Sequence, residues 1–390
     1  MASLLADRSF ERILLIKPTA LGDVVHTIPV LVKLRRRYPD ARIDWMLTPA
    51  TAELVGRHPA ISNIVLFDRR RLGQIAKPGQ AIGGIWRLAR QLRRARYDLV
   101  IDLHGQLRSA FFAMCTGSRV RVGFDRPRRV NRVAERTLPA TAYRHGWTGA
   151  REGSWLAYTH RIPVPTLEVH AVDRYQRLGA LLGFDAGPLD FGFPLAAEAP
   201  AAADALLAEH GLTDRPYAVL APGTIWETKR WRTEGFAEVA QHFLDRGWGA
   251  LLVGSPGERE RCREVAALCP GATDVSGRTS ISVLAALIRR AAIAITNDSG
   301  PMHLTVAMGR PVVSIFGPTD DVWIGPYRRE NAVARVSLPC APCYFRRLSQ
   351  CPHDHRCMRE VTAEHVIRLV EEVLADAAAC CPSASDSTVS

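Results

Sequence analysis

The stretch Thr296-Asn297-Asp298-Ser299-Gly300-Pro301-Met302-His303 constrains the fold of this chain more than any other. The apolar run Ala291 to Ile295 leads into it and reads as a buried parallel strand. Leu304 to Met308 reads as a short helix that stops before Gly309, and Pro311 to Phe316 as the next strand. Strand, turn and helix in that order make an α/β unit, whose helix N-terminus offers backbone N–H groups to an anion. Asp298 and Ser299 suit an N-cap, Gly300 permits close backbone approach, and Pro301 suits the first helical position. An ordinary capped helix start has the same residues. His303, one turn into the helix, favours a nucleotide or phosphate site.

The same alternation runs along the whole chain. Ile13 to Lys17 is a short apolar run, Pro18 to Leu21 a turn, and Gly22-Asp23-Val24-Val25-His26 opens a helix through Arg37. This first βα turn lacks G-x-G-x-x-G, so it carries no dinucleotide fingerprint. It has one glycine and then an acid. Asp23 reads equally as a dipole partner of its own helix or as a catalytic carboxylate at the carboxyl end of a strand. Strands are expected at Arg42 to Leu47, Ile61 to Phe67, Tyr97 to Leu103 and Val120 to Phe124. Helices are expected at Pro49 to Val55, Gly83 to Ala95, from Leu107, and at His145 to Thr159 with Trp147 and Trp155. Such βαβ repetition predicts a parallel sheet with helices on both faces.

The composition between Asp185 and Pro216 shifts to Ala, Pro and Gly, with one helix expected around Ala201 to His210, which marks a linker. The pattern then restarts: strand Tyr217 to Leu220 with Thr224 beyond it, a polar loop holding Lys229, helix Thr233 to Arg246, and strand Ala250 to Val253. Glu258 opens the next helix, and Ser282 to Ala291 precedes the stretch described first. The predicted fold class is α/β, with two Rossmann-like doubly wound domains offering strand ends to a shared cleft. The expected boundaries are 1–190, a linker 191–216, a second domain 217–361, a terminal helix 362–378 and a disordered tail 379–390.

A chain of 390 residues fits two domains, and 47% hydrophobic with 23% charged residues is a globular composition. Charge is one-sided. Residues 1–151 hold 28 Lys+Arg and 11 Asp+Glu, giving +17, while the rest hold 23 and 28, giving −5; together they make the net +12. A basic first half implies a large anionic partner: nucleic acid, an anionic membrane surface or a phosphorylated glycolipid. Nucleic acid is disfavoured, because neither aromatic-basic interleaving nor a known DNA-binding signature is present. Met1 to Arg12 is charged and has no signal-peptide core, so a cytoplasmic location is expected. Arg69, Arg70 and Arg71 follow a strand end and are expected to meet an anionic substrate. Cys340, Cys343, Cys351 and Cys357 place four thiols in 18 residues (340–357), resembling a tetrathiolate site for zinc or iron, although the spacing is not that of paired C-x2-C knuckles. Reduced structural thiols or a disulfide are the alternatives. No sequence feature sets an oligomeric state.

Ile13-Leu14-Leu15-Ile16-Lys17 with Leu21-Gly22-Asp23-Val24-Val25-His26-Thr27-Ile28-Pro29, then Asn297 to His303, resemble the lipopolysaccharide heptosyltransferases, glycosyltransferase family nine. The resemblance spans about residues 12 to 375. It implies a glycosyltransferase-B fold and an inverting transfer of heptose from ADP-heptose that needs no metal or other cofactor. The implied acceptor is an anionic lipopolysaccharide inner core (Kdo-lipid A or a core heptose) at the inner face of the cytoplasmic membrane. It implies Asp23 as general base. It also implies Thr224, Lys229, Glu258, Asp298, Ser299, Gly300 and His303 as donor contacts, and Arg69, Arg70, Arg71 and Arg108 on the acceptor side. In Asp102 to Ser109, His104 and Gln106 depart from the commoner family residues. A same-fold transferase using another nucleotide sugar or a protein acceptor is the alternative, and a basic nucleic-acid-binding protein a remote one.

Overall fold

Six parallel strands form the first sheet: β1 (Arg12–Ile16), β2 (Arg42–Leu47), β3 (Asn63–Leu66), β4 (Leu99–Asp102), β5 (Val120–Phe124) and β6 (His160–Ile162). They lie in the order β3-β2-β1-β4-β5-β6. The computed structural model describes residues 5–68, 78–127, 149–165 and 169–380. Arg69, Arg70, Arg71, Trp147 and the tail beyond Cys380 lie outside them. The second sheet holds β7 (Tyr217–Ala221), β8 (Gly249–Leu252), β9 (Thr273–Asp274), β10 (Ile293–Asn297), β11 (Val312–Ile315) and β12 (Val333–Ala334). Its order is β12-β11-β10-β7-β8-β9. Counted within its own unit, that is the same doubly wound order as the first.

The central strands are buried on both faces, which is why they read as unbroken apolar runs rather than alternating ones. Val24, Ile28, Leu31 and Leu34 bury one stripe of the helix Leu21–Arg37, and Phe236, Val239, Ala240 and Phe243 do the same on the helix Thr233–Asp245. Both Rossmann-like units are as the sequence predicts.

The division between them differs from expectation. The chain separates into Met1–Pro194 and Leu195–Ser390, with no separate linker. Asp185 and Asp190 belong to the first unit, because Lys33 donates to the Asp185 carbonyl at 2.8 Å and Arg36 pairs with Asp190 at 3.4 Å. The helix Ala199–Glu209 belongs to the second. It buries Ala199, Ala203 and Leu207, and Asp204 and Glu209 pair with Arg290 and Arg278. Small residues read as linker in sequence are here a close helix–helix contact.

The helix expected over His145 to Thr159 is, in its described part, only the 3-10 turn Ser154–Ala157. Gly149 and Gly153 have φ of +81° and +75°, which a right-handed helix cannot accept. The helix after β10 spans Gly300–Ala307, starting before Leu304, because Pro301 occupies its first turn. No helix among the described residues is long and apolar enough to cross a membrane.

Candidate active site

In each unit the strand order reverses beside the first strand, at β1/β4 in one and β7/β10 in the other. Loops on the two sides of such a reversal diverge and leave a crevice at the strand carboxyl ends. Most of the sequence-predicted residues among the described ones lie at or beside these two places.

In the first unit, Lys17 follows β1 and Asp23 sits in the first turn of the next helix. The buried Lys17 ammonium lies 3.4 Å from Asp23 Oδ2. The Ala20 N–H donates to the same oxygen at 3.2 Å, and the buried Tyr175 hydroxyl donates to Oδ1 at 3.0 Å. Lys17 Nζ also stands 5.3 Å from the centre of the Tyr175 ring. Burial alone would raise the Asp23 pKa, but the Lys17 charge, the Ala20 N–H and the Tyr175 hydroxyl together hold it below its ordinary value. Burial would likewise neutralise Lys17, yet Asp23 and Tyr175 keep its pKa raised. The Asp23 side chain remains 37% exposed. It caps its own helix, as one of the two sequence readings expects, and still keeps an open edge.

The β4 end supplies the other wall. Asp102, fully buried, accepts the His104 and Gly105 N–H groups on Oδ1 at 2.9 and 3.1 Å, and the Tyr158 hydroxyl on Oδ2 at 2.7 Å. Burial outweighs these bonds and raises its pKa. This carboxyl shapes the turn that sets His104 beside Lys17 and Asp23. Burial first, then the Lys17 charge, push His104 down to about 4, so its imidazole is neutral near pH 7. Arg108 is exposed at the start of the following helix, near enough to act on His104 electrostatically.

In the second unit, Lys229 and Asp298 are brought together from either side of the reversal. Lys229 Nζ lies 2.6 Å from Asp298 Oδ2, with side chains only 12% and 4% exposed. The Thr319 hydroxyl donates to the same oxygen at 2.6 Å. Asn297 holds the surrounding loops: its Oδ1 accepts the Trp231 N–H at 3.1 Å and its Nδ2 donates to the Pro222 carbonyl at 2.8 Å. Ser299 occupies the N-cap, but its hydroxyl donates back to the Asn297 carbonyl instead of capping the helix. The first turn from Gly300 thus has no side-chain cap, which suits it to an anion. His303 is buried in that helix. Thr224 is buried just past β7, and the Glu258 side chain packs so close to Gly223 that a Cβ there would meet it at 2.5 Å. Glu258 Oε2 accepts the Ser255 N–H at 2.7 Å, which closes a capping box around its own turn.

The cysteine segment serves this loop. The Thr228 hydroxyl donates to the Phe345 carbonyl, the Glu227 N–H to the Arg346 carbonyl at 3.1 Å, and the Leu348 N–H to the Glu227 carboxylate at 3.1 Å. His355 Nε2 lies 2.6 Å from the Thr228 carbonyl oxygen. Cys340, Cys343, Cys351 and Cys357 are free thiols. Burial first, then the other three thiols, push Cys357 up to about 12, so the four are neighbours. Among the described residues, no three His, Cys, Asp or Glu side chains converge on a point that could hold a metal ion.

Lys17 and Asn297 lie within the stretches quoted from the sequence without a role of their own, and Tyr175 and Thr319 were not singled out. A lysine closing an apolar strand was the available signal for Lys17. Tyr175 and Thr319 carry none, because their partners lie 152 and 21 residues away.

One doubly wound unit presents an open carboxylate at its strand reversal, and the other presents a helix N-terminus with no side-chain cap. The family model "Glycosyltransferase family 9 (heptosyltransferase)" matches residues 85–140 and 136–353, and the chain belongs to that family and is a glycosyltransferase. It is 32% identical over 342 residues to lipopolysaccharide heptosyltransferase 1 of Pseudomonas aeruginosa, covering 85% of this chain and 86% of that one. The glycosyl transferase family 9 structure from Veillonella parvula is 23% identical with a TM-score of 0.76, covering 95% and 99% of the two chains. The E. coli heptosyltransferase WaaC with ADP is 25% identical with a TM-score of 0.68, covering 93% and 99%. These neighbours have the glycosyltransferase-B fold.

Proposed function

We propose that this enzyme transfers a heptose from ADP-heptose to an anionic lipopolysaccharide inner-core acceptor, with inversion, at the cytoplasmic face of the membrane. The observation that carries the reading is Asp23, ionised and open at one edge, in a chain 32% identical to a named lipopolysaccharide heptosyltransferase. Asp23 takes the proton from the acceptor hydroxyl as its oxygen attacks the anomeric carbon in line. The bond from that carbon to the donor phosphate oxygen breaks, and ADP leaves with the electron pair. Lys229 and the N–H groups of the Gly300 turn neutralise the charge that builds on ADP. Asp298 and Thr319 hold Lys229 in place, Thr224 and Ser299 add contacts to the donor phosphates, and His303 adds a further donor contact. The open oxygen of Glu258 is available to a ribose hydroxyl. Arg108, with Arg69, Arg70 and Arg71, meets acceptor anions. Protein groups supply all the charge the step needs, so transfer requires no metal.

The test is an ADP-release assay on defined inner-core acceptors, with ADP-heptose set against other nucleotide sugars. ADP-heptose is expected to be the preferred donor. Preference for another nucleotide sugar, or release independent of the inner-core acceptor, would overturn the reading.

A further inference from the structure

Six of the eleven large apolar side chains that stand exposed among the described residues lie on three adjoining elements of the first unit. Ile82 and Trp86, 55% and 68% exposed, are on the helix Pro78–Arg94. Leu107, Phe111 and Met114, 56%, 41% and 49% exposed, recur at i, i+4 and i+7 on the helix Leu107–Cys115. Leu156, 77% exposed, tops the 3-10 turn Ser154–Ala157, which packs against that second helix. The two helices also pack on each other, and Arg93 reaches across to Gly117 at the end of the second. Scattered exposed apolar residues need no explanation, but a contiguous set does.

The charge on these three elements is of one sign. Neither helix nor the 3-10 turn contains an Asp or Glu. Arg87, Arg90, Arg94 and Arg108 are exposed on them and pair with no carboxylate among the described residues. Glu152, just ahead of the 3-10 turn, accepts the Leu107 N–H at 3.2 Å. The whole unit, residues 1–194, holds 31 Lys+Arg against 16 Asp+Glu, a balance of +15.

We infer that this face docks on an anionic lipid bilayer, with Trp86, Phe111 and Leu156 entering the headgroup region and the arginines meeting lipid phosphates. Aromatic and aliphatic side chains with flanking arginines suit the interface between headgroup and acyl chain, where each part finds its preferred surroundings. The three elements offer a protein partner arginines and no acid, and a second copy would set arginine against arginine. Leu107 opens its helix four residues after Leu103 leaves β4, so the face begins beside the Asp23 site. It therefore deepens the proposed membrane-linked acceptor, while its test needs no acceptor and leaves the transfer reading standing if it fails.

The experiment is co-sedimentation of the purified full chain with vesicles of phosphatidylethanolamine and phosphatidylglycerol, compared with phosphatidylcholine alone. The expected result is binding to the anionic vesicles at least about tenfold tighter, weakened by salt. The double variant Arg87→Glu/Arg90→Glu should lose at least about tenfold in that affinity. Phe111→Ser/Leu156→Ser should lose the binding that persists at high salt, with circular dichroism and melting temperature confirming folded variants. Binding unchanged in both variants would overturn the assignment. A concentration-dependent dimer in light scattering that Phe111→Ser/Leu156→Ser dissolves would do the same, assigning the face to a second copy.

Discussion

Both units build a lysine–carboxylate pair at the point where their strand order reverses, and the two pairs are opposites in exposure. In the first, Lys17 is buried and Asp23 keeps an open edge, with 3.4 Å between them. In the second, Asp298 is the more buried partner of a 2.6 Å pair, and Thr319 binds the same carboxylate oxygen as Lys229. A buried lysine keeps an exposed acid ionised and free to take a proton. A buried acid keeps a lysine fixed where a phosphate arrives. In the proposed mechanism the same two residue types serve proton transfer in one unit and charge neutralisation in the other, according to which partner reaches solvent.

The largest expected effect comes from the open acid. Asp23→Asn should lower kcat by about 10²- to 10⁴-fold, the range for a general base, with ADP affinity by calorimetry nearly unchanged. Equal loss of both would make Asp23 structural and dissolve the contrast. The buried acid should behave in the reverse way. Asp298→Asn leaves Lys229 without its counter-charge, and breaking such a pair costs about 3–5 kcal/mol, read as a fall in denaturant midpoint that Asp23→Asn does not match. Similar midpoints for the two variants would mean that exposure does not separate the pairs.

Lys229→Ala should weaken ADP binding by about 10- to 100-fold, as expected for a hydrogen bond between charged groups. An unchanged dissociation constant would remove Lys229 from the donor site. Tyr175→Phe is a smaller perturbation. The Asp23 carboxyl titrates below its ordinary value of 3.8, so base function is present above that range and is lost as pH falls through the folded value. Any stability linked to this depression has the same sign, present above the ordinary value and lost on acidification. Removing the Tyr175 hydroxyl raises the Asp23 pKa, so the acid limb of kcat/KM should move to higher pH while the alkaline side stays put. A limb that does not move would sever Tyr175 from Asp23. The smallest effect is expected from metal. Metal analysis of purified protein separates the two readings of the cysteine segment, and less than about a tenth of an equivalent of zinc or iron would leave its thiols structural. A full equivalent bound would show that the cysteine segment closes around an ion.

The two sheets were legible because buried parallel strands leave unbroken apolar runs, and Ile13 to Ile16 or Ala291 to Ile295 admit few other uses. The helix starts at Leu107 and Thr233 were legible from their flanking turn residues, whereas the helix expected from Leu304 starts at Gly300. The domain boundary was not. Ala199 to Glu209 looks like linker until its alanines are seen against a neighbouring helix, and composition does not separate those cases. The 3-10 turn at Ser154 was missed because apolar periodicity continues through Gly149 and Gly153, whose positive φ only the folded backbone reveals.

At the candidate site, the sequence by itself determined which turns follow strand ends with ionisable groups at a helix start: Gly22-Asp23 after one strand and Asn297-Asp298-Ser299-Gly300 after another. Local order fixes these, because a strand end and a helix start are neighbours along the chain. Only the tertiary structure decided what each carboxylate does. Tyr175 reaches Asp23 from 152 residues away and Thr319 reaches Asp298 from 21, and solvent reaches one acid but hardly the other. Burial and long-range partners set the charge and freedom of an ionisable group, and no local pattern encodes them.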